Sequence, residues 1–250
     1  MKRPIINALA FSLLLILCIN QSFAQKASLD SNANSFVESY VVNYYNKSVG
    51  QQSRLYNGAE YTPYSPVIKN NPYFQDLTDV KPGTVTFDGY TYTKVPMMYD
   101  MYKDVLAVQL YNNFTKYVLA SERVGSFDLS GHHFVYVSAD TVVNAGSFAS
   151  GFYEQMYGGK TEALARYSKS IQNQSSGNDI ETYFTKVKTL YYIKKGGSYH
   201  EVSSEGDVLK LLKDRKKELQ QYIKTNNINF RKAPVEALTS VAGYYDRINS

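Results

Sequence analysis

The sequence has no tryptophan and only one cysteine, Cys18, among its 250 residues. Cys18 lies in a leading segment that we expect to be removed, so the remaining chain would contain no thiol. Disulfide bonds, thiolate metal sites and cysteine nucleophiles are thereby excluded together. A domain without disulfides has to be held by its hydrophobic core, and a chain of this length can bury enough apolar surface to fold as one domain.

The first 24 residues have the composition of a cleavable signal peptide. Lys2 and Arg3 give a positive start, and Ser22 and Ala24 are small residues at the positions that signal peptidase requires. The apolar run between them, residues 5–19, has about 15 residues, fewer than the roughly 20 that cross a bilayer. We therefore predict cleavage after Ala24 rather than a membrane anchor.

A lipidated cysteine is the alternative at this end of the chain. Cys18 closes the apolar run, but Leu17 precedes it where a small residue is needed. The predicted organisation is a signal peptide at 1–24 and a single mainly-β domain at 25–250, whose helical C-terminal segment covers 205–250. Since no second long apolar segment follows, we expect no transmembrane segment after cleavage. The product would be periplasmic, associated with the outer membrane, or extracellular.

Common catalytic motifs are also absent from the sequence. It contains no G-x-S-x-G elbow, phosphate loop, dinucleotide fingerprint, H-E-x-x-H pair or calcium-loop spacing. We therefore assign no catalytic residue, no metal site and no cofactor. A carboxylate pair for glycoside hydrolysis stays open, because its two members can lie far apart in sequence.

The few candidate polar residues have ordinary structural explanations. If His132 and His133 share a strand, they point to opposite faces and cannot chelate one metal. One of them could still join a carboxylate, and the candidates are Glu122 and Asp128; His200 is the third histidine. Asp100 and Asp104 would share a face on a helix, but their segment has the pattern of a strand followed by a turn.

Tyrosine and phenylalanine are abundant, with 24 and 12 copies, and this composition favours β-strands. Asp88-Gly89 stands between two alternating segments and predicts a two-residue hairpin, because both residues tolerate positive φ. Gly158-Gly159 and Gly196-Gly197 predict two further turns. A polar loop is expected at Asn173–Asn178, followed by one strand within Asn178–Thr189.

Several runs with short connections extend this pattern. Strands are predicted at Val105–Leu110, Phe114–Ser121, Val124–Leu129 and His132–Ser138. Their connections are too short for crossover helices, so the sheet should be an antiparallel meander. The predicted fold class is α+β, mainly β, with about eight to ten strands in a curled sheet or an incomplete barrel.

Helices are predicted at both ends of this domain. Apolar residues recur at three- and four-residue steps from Asn34 to about Leu55, which indicates an N-terminal helix. At the other end, Ser204 caps an amphipathic helix that ends at Asn226-Asn227, and Pro234 begins a second one. The apolar stripe of the first C-terminal helix consists of Val208, Leu211, Leu212, Leu219, Tyr222 and Ile223.

The C-terminal segment carries the excess of basic residues after signal removal. Lys210, Lys213, Arg215, Lys216 and Lys217 lie close together. Such a cluster suits nucleic acid in a cytoplasmic protein, but the predicted export removes that partner. We interpret the lysines as the solvated face of a helix.

Four segments resemble an uncharacterised family of exported proteins of Bacteroidetes-type bacteria. They are Leu55–Tyr61, the hairpin Gly83–Tyr92, the run Val95–Asp100 and the tail Leu209–Arg231. The resemblance covers nearly the whole chain after the signal peptide. It implies an envelope location and a meander with helices, and it brings no activity, ligand or catalytic residue with it.

Three functions follow as hypotheses. The first is a non-enzymatic interaction or structural module of the cell envelope, whose sheet or C-terminal helices dock a partner protein. The second is a periplasmic carrier that binds a lipid or other apolar ligand in a curved sheet, and the third is a glycan or peptide hydrolase. The absence of motifs favours the first.

Overall fold

The structure is a computed structural model. It describes residues 54–110, 115–146, 148–176 and 179–249, together with isolated positions between 37 and 48. The chain divides into two units, Met1–Glu38 and Ser39–Ser250. The predicted signal peptide at 1–24 and its cleavage point lie outside the described residues.

The described part of the second unit is dominated by β-strands. They are β1 (Ala59–Glu60), β2 (Lys81–Phe87), β3 (Tyr90–Asp100), β4 (Val105–Gln109), β5 (Lys116–Val118), β6 (Val124–Leu129), β7 (His132–Val137), β8 (Gly151–Tyr157), β9 (Ala163–Ser168), β10 (Ile171–Ser176), β11 (Asp179–Phe184), β12 (Lys188–Lys195) and β13 (Ser198–Val202). Three helices close the chain: α1 (Glu205–Leu211), α2 (Lys216–Thr225) and α3 (Pro234–Ile248).

Eleven strands form one antiparallel sheet in the order β1-β5-β4-β3-β2-β6-β7-β8-β9-β12-β13. The mainly-β α+β class and the antiparallel meander are therefore confirmed. The strand count is higher than the predicted eight to ten. The predicted curled sheet or incomplete barrel is not what the pairing defines, because β6 returns to pair with β2 and the ladder then grows outward to separate edges at β1 and β13.

The hairpin predicted at Asp88-Gly89 is confirmed. The two residues have φ of 53° and 78° and connect β2 to β3, with Phe87 opposite Tyr90. Positive φ at both central positions is the geometry that matches the twist of antiparallel strands. Gly196-Gly197, with φ of 61° and 84°, does the same between β12 and β13. Gly158-Gly159 also lies between two paired strands, but within a longer connection at 158–162.

Replacing Gly89 with valine is expected to lower the free energy of unfolding by about 1 kcal/mol or more. A Cβ at this position would meet no atom within 4 Å, so the destabilisation would come from the backbone conformation. Gly125→Val is the matched control, because a Cβ there makes only ordinary contacts. Thermal melts of both variants check the prediction, and equal melting temperatures would contradict it.

The segment around residue 173 differs from the prediction. The strand predicted within Asn178–Thr189 is β11, but β10 replaces most of the polar loop predicted at Asn173–Asn178, and the two strands pair with each other as a two-stranded ribbon outside the 11-stranded sheet. Lys69 forms a bridge with Tyr183 beside this ribbon. The polar side chains of this segment predicted a loop, but a ribbon outside the main sheet can be polar on both faces and still form strands.

Aromatic side chains fill one face of the sheet. The rings of Phe127 and Phe134 are stacked with centroids 4.7 Å apart, and Phe74 meets Phe134 edge to face at 5.1 Å. Tyr99 of β3 lies 5.8 Å from Phe152 of β8, although three strands separate these two in the ladder. Each fully buried ring of this kind stabilises the fold by about 1.5–3 kcal/mol. The protein's own side chains thus occupy this face.

The predicted N-terminal helix agrees with every described position between 37 and 48, since all of them are helical. Most of the range from Asn34 to Leu55 lies outside the described residues. Tyr40, Val41, Tyr44 and Tyr45 are 57–66% exposed, so this apolar stripe lies outside the core.

The first predicted C-terminal helix is interrupted. α1 and α2 are joined by a 3-10 turn at Lys213–Arg215. In a continuous helix the carbonyl of Leu211 would accept from the N–H of Arg215; here it accepts from Lys195 Nζ, and Arg215 bonds to Leu212 instead. A lysine side chain from the sheet thus replaces a backbone N–H as the donor to the last carbonyl of α1.

The apolar faces of the C-terminal helices pack on the sheet. Their apolar residues join Ile193 of β12 and Val202 of β13 in one cluster. Leu212 and Leu219 are fully buried, while Lys213, Lys216 and Lys217 are exposed. The caps are also confirmed, since the Ser204 hydroxyl accepts from the N–H of Asp207 and Pro234 begins α3.

Candidate functional site

The two neighbouring histidines of β7 have separate partners. His133 Nδ1 lies 2.7 Å from Asp128 Oδ1, so the expected carboxylate partner is Asp128 and not Glu122. His132 Nδ1 lies 2.6 Å from Glu154 Oε1, on β8. They form separate pairs, as the alternation of side chains along a strand predicts. His200 lies on β13 and is exposed.

The His132 pair is part of a cluster that satisfies itself. Gln75 Nε2 lies 2.9 Å from His132 Nε2, and an amide nitrogen can only donate. His132 thus contacts the amide through Nε2 and the carboxylate of Glu154 through Nδ1. The hydroxyl of Tyr167 donates to the other oxygen of Glu154. Both imidazole nitrogens therefore have hydrogen-bond partners. The Gln75 amide lies at the position that a nucleophile or substrate would occupy in an acid–base site.

Asp100 lies at the end of β3 and is completely buried. Oδ2 accepts from the hydroxyls of Tyr61 and Tyr64, both at 2.8 Å. Oδ1 accepts from the backbone N–H groups of Tyr102 and Lys103. Burial, followed by the hydrogen bond with Tyr73 and then by the charge of Asp100, raises the pKa of Tyr61, so the phenol stays protonated. Asp100 thereby fastens the proline-rich segment that precedes β2 to the turn after β3.

Asp104 belongs to a different cluster. Its carboxylate accepts from the Tyr99 hydroxyl at 2.7 Å and from Arg166 Nη2 at 3.1 Å. Burial raises the pKa of Asp104, although Tyr99 and Arg166 act in the opposite direction. The structure therefore does not bring Asp100 and Asp104 together as an acid–base pair. Sequence reasoning missed the partners Tyr61, Tyr64 and Arg166, because they lie 36 to 62 residues away in the chain.

A different arrangement is found where β13 meets the C-terminal helices. Two adjoining grooves, of about 460 and 260 Å³, share four lining residues. These are Ser203, Ser204, Phe230 and Arg231. The larger groove also contacts Glu205 at the start of α1 and Ile228 in the α2–α3 loop. The smaller reaches Tyr191 and Leu238, next to the helix–sheet core.

Two charged groups in the larger groove are unpaired. Neither the Arg231 guanidinium nor the Glu205 carboxylate has a hydrogen-bond or ion-pair partner among the described residues, and they do not pair with each other. Phe230 and Ile228, which pack on the helix cluster, supply an apolar wall. Asn229 shapes the loop by accepting from the N–H groups of Arg231 and Lys232. The groove therefore offers a cation, an anion and apolar surface side by side.

The serines of this groove are held by Asp207. Its Oδ2 accepts from the N–H of Ser203 at 3.0 Å, and also from the hydroxyls of Ser203 and Ser204. These donors lower the pKa of Asp207 to about 2. The wall of the groove at the start of α1 is thus fixed by a carboxylate that stays ionised.

Asp207→Asn should destabilise the protein near neutral pH and lose this effect in acid. Because the folded pKa is lowered, the stabilisation from Asp207 is present above its unfolded value of about 3.9 and is lost as pH falls toward 2. The difference in unfolding free energy between variant and wild type should therefore narrow from about pH 5 to pH 3. Urea titrations across this range measure it. A constant difference would contradict the assignment.

Within the described part of the chain, no group of three or more His, Cys, Asp or Glu side chains is arranged to hold a metal ion. No helix there combines the length and apolar character needed to cross a bilayer. Comparison of the chain with protein-family models, curated proteins and solved structures returns no match. The resemblance to exported Bacteroidetes-type proteins stays a prediction.

Proposed function

We propose that this protein is a non-enzymatic interaction module of the cell envelope, exported by the signal peptide at 1–24, and that it docks a partner protein at the groove between β13 and the C-terminal helices. The observation that carries the proposal is the Arg231 guanidinium, which lines the groove together with Phe230 and Glu205 and has no partner among the described residues. The ionisable clusters around Asp100, Asp104 and His132 are held by partners inside the described part of the fold.

The composition of the groove suits a protein interface. Arginine and aromatic residues are enriched in the parts of interfaces that contribute most to binding. A partner that offers a carboxylate to Arg231 and a basic group to Glu205 would satisfy both charges. Apolar contacts with Phe230 and Ile228 would exclude water from these pairs and strengthen them.

The partner can be identified by cross-linking in cells of the source organism, with a photoreactive residue in place of Phe230. The purified pair then gives the decisive measurement. Arg231→Glu should weaken binding at least about tenfold, which corresponds to about 1.4 kcal/mol. Lys216→Glu is the matched control, since it makes the same change of charge at an exposed position of α2 outside the groove.

Other outcomes would overturn the proposal. Equal affinity of the Arg231→Glu and Lys216→Glu variants would remove the groove as the docking site. Native mass spectrometry that finds a co-purified lipid, with no protein adduct, would favour the carrier. Hydrolysis of glycans or peptides by the purified protein would favour an enzyme. Sequencing of the exported product tests the export step, and a product that still begins at Met1 would contradict it.

A further inference from the structure

The outer edge of β13 carries backbone groups that none of the described strands pairs. Lys194 of β12 donates its N–H to Glu162, on the side away from β13. Its antiparallel partner Tyr199 must therefore also direct its N–H and C=O away from β12, and Glu201, two residues on, does the same. The N–H and C=O groups of Tyr199 and Glu201 therefore point outward, and none of them has a hydrogen-bond partner in the part of the chain that the structure describes.

Both ends of this edge are closed by other parts of the fold. At the hairpin end, the carbonyl of Gly197 accepts from the N–H of Val143 at 3.3 Å. At the other end, the N–H of Ser203 donates to Asp207 at 3.0 Å. The open part is thus limited to Tyr199 and Glu201, a length that suits one short extended segment.

The side chains along this edge add a charge preference. Glu201 is exposed, and its carboxylate has no hydrogen-bond or ion-pair partner among the described residues. Natural sheet edges are usually blunted by charge, by short length or by a covering element. β1, at the other edge, has only two residues, whereas β13 has five and a single negative charge. A basic residue directly opposite Glu201 would convert this repelling charge into a cross-strand pair.

We infer that an extended segment of a partner polypeptide adds to β13 as an antiparallel strand, exchanging backbone hydrogen bonds with Tyr199 and Glu201 and placing a basic residue opposite Glu201. This mode of recognition takes affinity from main-chain bonds and specificity from side chains. It rests on the proposed function, because it specifies how a partner protein binds. The edge continues through Val202 into Ser203 and Ser204, which line the groove.

The probe is a blocked synthetic peptide of alternating valine and lysine, titrated into the full chain. The expected result is saturable binding that slows amide hydrogen exchange at Tyr199 and Glu201. When a lysine lies opposite Glu201, the backbone N–H groups of the lysines face β13, so N-methylation of the lysines should abolish binding. The backbone N–H groups of the valines face away from β13, so N-methylation of the valines should leave the affinity within about twofold. Equal effects of the two modifications would overturn the inference.

Protein variants test the same edge. Glu201→Pro removes one outward donor without breaking the β12–β13 ladder, and it should weaken peptide binding about tenfold. Glu60→Pro is the matched control on β1: Tyr61 donates to Lys116 of β5, so the N–H of Glu60 also faces outward. It should leave binding unchanged.

A charge exchange keeps the test independent of proline. The Glu201→Lys variant should no longer bind the valine–lysine peptide and should bind the corresponding valine–glutamate peptide instead. Failure of this exchange would overturn the placement of a basic residue opposite Glu201. Protection of the Tyr199 and Glu201 amides that rises with protein concentration, without peptide, would show a second copy at the edge and overturn the inference.

The edge and the groove can fail separately. If Arg231→Glu weakens the cross-linked partner but Glu201→Pro does not, the proposed function stands and strand addition is wrong. If the peptide binds β13 as described while the cross-linked partner is insensitive to Arg231→Glu, the groove is wrong and the edge remains.

Discussion

Replacing Asp100 with alanine is expected to lower the free energy of unfolding by about 3–5 kcal/mol, because a buried donor left without its acceptor costs about 1–3 kcal/mol. Four donors converge on this carboxylate, two tyrosine hydroxyls and two backbone N–H groups. Their loss would detach the segment around Tyr61 and Tyr64 from the turn after β3. Urea unfolding measures the change, provided that the slope with denaturant stays constant.

Tyr64→Phe is the matched control for this prediction. It removes one of the four hydrogen bonds and keeps the ring, which packs edge to face on Phe184. The expected loss is about 1 kcal/mol. If Asp100→Ala destabilised the protein no more than Tyr64→Phe, the carboxylate would not be the anchor described here.

Leu212→Ala is expected to lower the free energy of unfolding by about 2–5 kcal/mol, as is usual when a buried leucine leaves a cavity. Leu212 is fully buried at the junction of α1 and the following 3-10 turn, within the cluster that joins the helices to the sheet. Thermal and urea unfolding should show the loss for the whole domain in one cooperative transition.

The exposed lysines supply the control for Leu212. Changing Lys213, Lys216 and Lys217 to glutamine should alter stability by no more than about 0.5 kcal/mol. A truncation after Ser203 should fail to give the intact cooperative melt, because removal of the three helices would expose Ile193 and Val202, the sheet residues that they cover. An undiminished melt of the truncated chain would contradict the packed tail.

Local features were predictable from the sequence where one or two residues determine the backbone. Asp88-Gly89 and Gly196-Gly197 adopt the positive φ that their residue types allow, and Pro234 begins a helix because its missing N–H is not needed there. The apolar spacing after Ser204 also predicted which face of the tail is buried. These features depend on near neighbours, so the sequence pattern contains them.

Features that depend on distant contacts were not predictable in this way. The interruption after α1 depends on Lys195 reaching the carbonyl of Leu211, and no helix pattern shows this contact. The pairing of His132 with Glu154 depends on the register of β7 against β8. The groove was not predictable from the sequence for a related reason. Arg231 lies in a loop between two helices, and it lines the same groove as Glu205 only in the folded chain.

Amide hydrogen exchange over the full chain, with and without the cross-linked partner protein, tests the account most directly. The proposed docking surface comprises β13 and the adjoining groove. The partner is expected to slow exchange at Tyr199 and Glu201 and across residues 228–231, while the strands β1, β4 and β5 are unchanged. Protection confined to the β1 side of the sheet, with the β13 edge and the groove unaffected, would contradict it.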